Sequence, residues 1–234
     1  MVNTKKNVIY SAQYGNYDEI RQPETIYDDV DYILFTDRVV DVPDPWKLIV
    51  IEPFTIDSIY SNRRMSRYCK AVPHLLMCGW ENCIWIDMTH EVKVHPVEIV
   101  NTYMKNSDVC TFKHESRDCV FDEMNAVHHY QMDLSVNLKR QVNFYKSVKY
   151  PSNNGLFETS ALIRKNTTKT HLMNCRWWEM MCRYSSRDQI SFPFILWSLN
   201  MKIDILPGRA GKGHQRDRVN NDVIPFIKGH IHEN

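Results

Sequence analysis

Two rhythms of apolar and polar positions alternate along the first half of the chain. Short β-prone runs come first: NVIYSA (7–12), closed by the turn-like YGNYD; DYILFTD (31–37), closed by Asp37; and WKLIVIEP (46–53). Apolar runs of this length, bounded by turn residues, predict buried strands. The period then changes. In SNRRMSRYCKAVPHLLM (61–77), Met65, Tyr68, Cys69, Val72, Leu75 and Leu76 recur at helical spacing, with Arg63, Arg67 and Lys70 on the opposite face. Pro73 predicts a kink or a break there. NCIWID (82–87) reads as a fourth strand, 96–104 as a helix and DVCTFKH (108–114) as extended chain. Strands separated by helical patterns predict a βαβ-type sheet. In such sheets ligands bind beyond the carboxyl ends of the strands. Asp37, Asp87 and the YGNYD loop all lie at such ends.

Farther on, SNNGLFETSALIRK (152–165) predicts a turn feeding a short strand, and RWWEMMCRY (176–184) a helix. SSRDQISFPFILWSLN (185–200) opens on cap-type serines and continues as an apolar helix, with Pro193 in its first turns. No Gly/Ser linker, repeat or low-complexity run divides the chain. One domain is therefore expected over 1–206, with 207–234 as a less regular segment of the same domain. PGRAGKGHQRDR (207–218) is basic, holds three of the seven glycines, and reads as a loop with anion affinity.

The length of 234 residues accommodates one substantial α/β domain. Hydrophobic residues at 43% and charged residues at 24% are ordinary globular usage and argue against a disordered chain. A net charge of +1 gives no global drive toward nucleic acid or anionic lipid. The seven cysteines form no CxxC pair, so free thiols in a reducing compartment are expected. The N-terminus has no apolar h-region and no run approaches the length of a membrane span. A soluble, cytoplasmic protein is the expectation.

Candidate chemistry centres on NCIWIDMTHEV (82–92), where a buried strand ends on Asp87 and a polar cluster, Thr89, His90 and Glu91, follows. Two readings stay open. Asp87 is a solvated strand-end carboxylate, or it holds Mg²⁺ or Mn²⁺ against a diphosphate; hard oxygen ligands suit both ions, and His can join for Mn²⁺. Asp118, Asp122 and Glu123 form an acidic cluster whose simplest role is a helix start stabilised by the macrodipole. Arg63, Arg67 and Lys70 offer phosphate contacts, with a solvated helix face as the plainer alternative. Asp188 is a helix cap or a carboxylate gripping substrate hydroxyls. Trp177 and Trp178 are expected in the core or an interface. GRAGKGH lacks the GxxxxGK[ST] pattern, and no zinc signature, GxSxG elbow or GxGxxG is present.

Seven stretches together carry a resemblance: YSAQYGNYDEIRQP, DYILFTD, RRMSRYCKAVPHLL, CIWIDMTHEV, FKHESRDCVFDE, NNGLFETSALIRK and WWEMMCRYSSRDQISFPFILW. Their order and spacing, from about residue 8 to about residue 200, resemble the glycosyltransferase (hexosyltransferase-like) domain of plant seed-mucilage proteins and bacterial and viral relatives. The resemblance implies a GT-A-like fold: a Rossmann-type mixed sheet flanked by helices that binds a nucleotide-sugar, a UDP-sugar first. It implies Tyr14, Gly15 and Tyr17 in the nucleotide loop, Asp37 near base or ribose, and Arg64 and Lys70 near the diphosphate, with Lys212 in the basic tail as a further phosphate contact. Asp87 would match the first carboxylate of the DxD motif, and Asp118, Glu158, Asp188 and Gln189 would face sugar and acceptor.

The chain departs from that pattern at two positions. Met88 follows Asp87 where a small residue is common, and Thr89 stands at the third DxD position. Completing a Mn²⁺ or Mg²⁺ shell would take Thr89, His90, Glu91 or a tail residue such as His214. The implied activity is sugar transfer to a hydroxyl acceptor, by default a glycan or lipopolysaccharide precursor. Hydroxylated bases of viral DNA are the alternative acceptor; a ceramidase-like hydrolase and a non-catalytic nucleotide-binding module are alternatives of other classes.

Overall fold

The structure is a computed structural model, and it describes residues 1–15, 17–54, 60–208 and 222–227. In chain order the elements are β1 (Val2–Asn3), β2 (Asn7–Gln13), β3 (Val30–Thr36), β4 (Trp46–Val50), α1 (Ser61–Ala71), α2 (Pro73–Leu76), β5 (Met77–Cys78), β6 (Asn82–Ile86) and α3 (Pro96–Tyr103). They continue with β7 (Val109–Lys113), α4 (Val120–His129), α5 (Ser135–Ser147), β8 (Phe157–Lys165), α6 (Thr168–Arg183), α7 (Asp188–Ser198) and β9 (Asp204–Ile205).

Seven strands form one sheet in the order β4-β3-β2-β6-β8-β7-β9, while β1 and β5 pair separately. β2, β3, β4 and β6 run parallel, and β8 is antiparallel to both β6 and β7. This is the Rossmann-type mixed sheet flanked by helices that the resemblance implies. The polarity brings the start of β8 to the same edge as the ends of β6 and β7. Asp87 N donates to Ser160 O at 2.7 Å across that junction. A register irregularity at Thr111/Phe112 sets Phe112 opposite Glu158.

Strand alternation splits the core into two layers. Tyr10, Phe35, Trp85 and Leu162 pack under α1, α6 and α7, whereas Ile9, Leu34, Ile84 and Ile163 pack toward α3 and the returning residues Val223 and Ile224. Trp177 is fully buried in the first layer. Pro73 acts as expected: α1 ends at Ala71, and Pro73 opens α2, where its missing N–H costs nothing. The expected helix at 176–184 is the last part of α6, which starts earlier at a Thr167/Thr170 capping box. All seven cysteines are free thiols. Among the described residues no helix is long and apolar enough to cross a membrane.

Candidate active site

The C-terminal edge of the sheet gathers charge from four elements. Lys70, near the end of α1, is 1% exposed, and its Nζ forms an ion pair with Asp188 Oδ2 at the start of α7. The same ammonium donates to Thr159 Oγ1 of β8 at 3.0 Å and stands 3.9 Å from Asp87 Oδ1 beyond β6. Arg67, one turn earlier, brings Nε to 3.2 Å from Asp188 Oδ1. Thr159 Oγ1 donates to Asp188 Oδ2 at 2.7 Å, and Trp85 Nε1 to Asp87 Oδ1 at 2.9 Å.

Burial pushes the Asp188 carboxyl up, but Arg67 and Lys70 outweigh it and hold the group well below the usual carboxylate range. Burial brings Lys70 down to about 8 against the attraction of Asp188 and Asp87. The solvated-stripe alternative for α1 is thereby corrected. Lys70 is buried and Arg67 only 17% exposed, because Asp188 and Asp87 face them. Asp188 is no cap: it is the first residue of α7, and Arg187 precedes it without a side-chain cap. The serines before it bind Asp133 instead, with Ser185 Oγ and Ser186 N each 2.8 Å from Oδ2.

Beside this cluster a second network holds Glu158. Gln189 Nε2 donates to Glu158 Oε2 at 2.6 Å, and His114 Nε2 stands 3.3 Å from Oε1. Ser116 N and Arg117 N donate to His114 Nδ1 at 3.2 and 3.0 Å, which turns Nε2 toward Glu158 and to 3.3 Å from Arg117 Nη2. Arg117 Nε pairs with Glu123 Oε2 at 2.7 Å, 3.8 Å from the same imidazole nitrogen. Three residues of FKHESRDCVFDE thus build one support, which spacing had not revealed. Asp122 and Glu123 also occupy the first turn of α4, the expected acidic helix start.

The remaining expected site residues are distributed more widely. Gly15, at φ +72°, donates its N–H to Asp37 Oδ2 at 3.2 Å, so the loops after β2 and β3 meet. Only glycine enters this conformation readily, and a Cβ there would lie 2.1 Å from Asn62 Nδ2. Tyr14 is buried and gives its hydroxyl to Ile51 O at 3.2 Å, whereas Tyr17 is exposed. Arg64 donates to Met181 O of α6, so Arg67 is the α1 arginine that reaches Asp188. Asp118 is exposed in the loop before α4. Thr89 is buried with its hydroxyl 3.0 Å from His90 Nδ1, and Glu91 Oε1 accepts from Thr25 N at 2.9 Å. Lys212 and His214 lie outside the described residues. Among those described, no group of three His, Cys, Asp or Glu is placed to hold a metal. A groove of about 590 Å³ along α7, lined in part by Phe157, Trp197 and Asn200, shares no residue with the charge cluster.

The TOD1/MUCI70 glycosyltransferase-like domain model matches residues 41–207. The chain belongs to this family. Two Arabidopsis thaliana proteins are similar: probable hexosyltransferase MUCI70, 24% identical, covering 84% of this chain and 39% of its own, and alkaline ceramidase TOD1, 23% identical, covering 84% and 49%. The chain thus spans less than half the length of either relative. Among solved structures, the apo WbbM bifunctional glycosyltransferase is 10% identical at a TM-score of 0.48, covering 87% of this chain and 39% of its own. The galactosyltransferase LgtC, in complex with donor and acceptor sugar analogues, is 12% identical at a TM-score of 0.46, covering 95% and 87%.

Proposed function

We propose that this glycosyltransferase-like domain moves a sugar from a nucleotide diphosphate sugar, a UDP-sugar in the first instance, to a hydroxyl of a glycan or lipopolysaccharide precursor. The observation that carries this reading is the convergence of Lys70, Arg67, Asp87, Asp188 and Glu158 on one sheet edge, beside the Gly15–Asp37 loop contact. Open α/β sheets bind ligands at that edge.

In this reading the Gly15–Asp37 pairing shapes the nucleotide end, and Tyr17 lies exposed beside it. The cations of α1 offset the charge of the leaving diphosphate. Glu158 accepts the proton of the acceptor hydroxyl while that oxygen bonds to the anomeric carbon and the sugar–diphosphate bond breaks. Gln189 and His114 hold its two oxygens in place. Asp188 is too firmly paired to accept a proton near neutrality, so it orients Lys70 and Arg67.

A divalent ion bound at Asp87 would supply further charge stabilisation to the leaving group. The described donor set does not fit such an ion. Asp87 is one carboxylate facing an ammonium, the Thr89 hydroxyl is turned to His90, and Glu91 is turned to Thr25.

The experiment is a screen of UDP-, GDP-, CDP- and ADP-sugars for nucleotide release by the purified protein, with and without acceptors. Release stimulated by a glycan supports the proposal; stimulation by duplex DNA bearing hydroxymethylated bases moves the acceptor to nucleic acid. The similarity to the ceramidase over most of this chain motivates a parallel assay of ceramide hydrolysis. Turnover there without nucleotide-sugar use would sink the transferase reading. Nucleotide binding without any turnover would make the domain a binding module.

A further inference from the structure

Among the described residues, the carboxylates at the sheet edge already face cations. Lys70 and Arg67 face Asp188, and Lys70 also stands 3.9 Å from Asp87 Oδ1. A divalent cation at Asp87 would add two positive charges beside an ammonium that is itself buried. Repulsion at such distances is weakly screened away from solvent. The neighbours that could bring compensating oxygens are committed elsewhere, Thr89 to His90 and Glu91 to the Thr25 amide.

The same region has donors to spare. Arg67 Nε and Arg187 Nε are buried N–H groups with no hydrogen-bond acceptor among the described residues. Arg67 Nε is near enough to Asp188 for an ion pair but off the line of a hydrogen bond. Arg63 lies one turn before Arg67 on α1, and Arg187 immediately precedes α7. Arg63, which donates to Met132 O at 2.6 Å, is brought down to about 10, first by burial and then by Arg187 and Arg67. Asp133, the nearby carboxylate, has Oδ2 occupied by Ser185 Oγ, Ser186 N and Ser186 Oγ, and Oδ1 by Leu134 N. Buried polar groups nearly always find partners, so the Arg187 Nε that has none, next to an Arg67 Nε held only by an off-line ion pair, points to a ligand. An anion with several acceptor oxygens answers that need, and planar guanidiniums are suited to phosphate oxygens.

We propose that Arg63, Arg67 and Arg187 form a pyrophosphate cradle that meets the charge of the donor's diphosphate without a divalent metal, with Lys70 neutralising Asp87 from behind. The inference rests on the nucleotide-sugar reading for its physiological ligand, but inorganic pyrophosphate tests the cradle independently.

The test is calorimetric titration of the full chain with inorganic pyrophosphate and with UDP, in EDTA and then in Mn²⁺ or Mg²⁺. Both ligands are expected to bind in EDTA, more weakly as salt rises. Arg187→Ala should weaken pyrophosphate binding by about tenfold or more, as for loss of a charge-assisted hydrogen bond. Arg187→Lys should recover part of it, and thermal unfolding of each variant checks that the fold survives. Asp87→Asn should strengthen metal-free binding, because it removes a carboxylate that faces Lys70. Binding that appears only with metal and vanishes in Asp87→Asn would overturn the cradle, as would no pyrophosphate binding under any condition. Pyrophosphate binding in EDTA without binding of any nucleoside diphosphate would keep the cradle and sink the nucleotide-sugar reading.

Discussion

Lys70 and Asp188 lie 118 positions apart and meet as a buried ion pair that joins the end of α1 to the start of α7. Thr159 of β8 bonds both partners, at 3.0 and 2.7 Å, so helix, strand and helix share one polar junction. Arg67 reaches the other carboxylate oxygen. This is a fixed arrangement of charge, and under the proposed function the mobile-proton role falls to Glu158.

Asp188→Asn should therefore destabilise the protein as well as impair it. Removing one partner of a buried pair leaves the other charge uncompensated, at a cost of about 3–5 kcal/mol. Urea unfolding at neutral pH measures it. A loss below about 1 kcal/mol would mean the pair behaves like an exposed one.

The same carboxylate makes stability pH-dependent. Asp188 is held well below its ordinary value in the fold, whereas in the unfolded chain it titrates near about 3.9. As pH falls, the unfolded state takes up the proton first. Its contribution is thus present above about pH 4 and drains away as pH drops toward the folded value. The stability gap between the native chain and Asp188→Asn should narrow over that acid interval; a constant gap would contradict the assignment.

Glu158→Gln should lower the transfer rate by about 10²–10⁴-fold, the usual contribution of a general base, while leaving nucleotide affinity unchanged. His114→Phe removes the imidazole nitrogen beside Glu158 Oε1 and should reduce the rate by a smaller factor, also without changing nucleotide affinity. If nucleotide affinity fell in step with the rate in either variant, Glu158 would belong to donor binding.

Arg164 is fully buried and donates to Lys70 O at 2.7 Å, Ala71 O at 3.3 Å and Asn174 Oδ1 at 2.7 Å. Arg164→Met strips the last turn of α1 of these partners and should cost more than about 2 kcal/mol. Retained stability with unchanged ligand binding would show that α1 needs no such anchor.

Much of the sheet was legible because its strands are apolar on both faces. NVIYSA, DYILFTD and NCIWID announce β2, β3 and β6 by composition, and Asp37 and Asp87 follow from where those runs stop. The antiparallel direction of β8 was not legible, since nothing local distinguishes the two directions. The helices at 120–147 went unread apart from the acidic start of α4, because α5 interleaves lysine, arginine and asparagine with its few buried positions, Leu138, Gln141 and Tyr145. Arg67 and Lys70 read as a solvated face because a helical wheel cannot know what the opposite side meets. Their partner Asp188 comes from the far end of the fold.

Residues 222–227 return to the loop that Asp87 begins: Lys93 N donates to Val223 O at 3.0 Å, Glu91 N to Pro225 O at 3.2 Å and Ile227 N to Thr89 O at 2.8 Å. At the other end, Leu206 N is held by Thr111 O at 2.9 Å. The described chain on both sides of 209–221 is therefore fixed to the body of the sheet, with residues 222–227 beside the loop that Asp87 begins. Breaking the contacts of 222–227 would loosen the Asp87 loop without altering a single residue of the sheet.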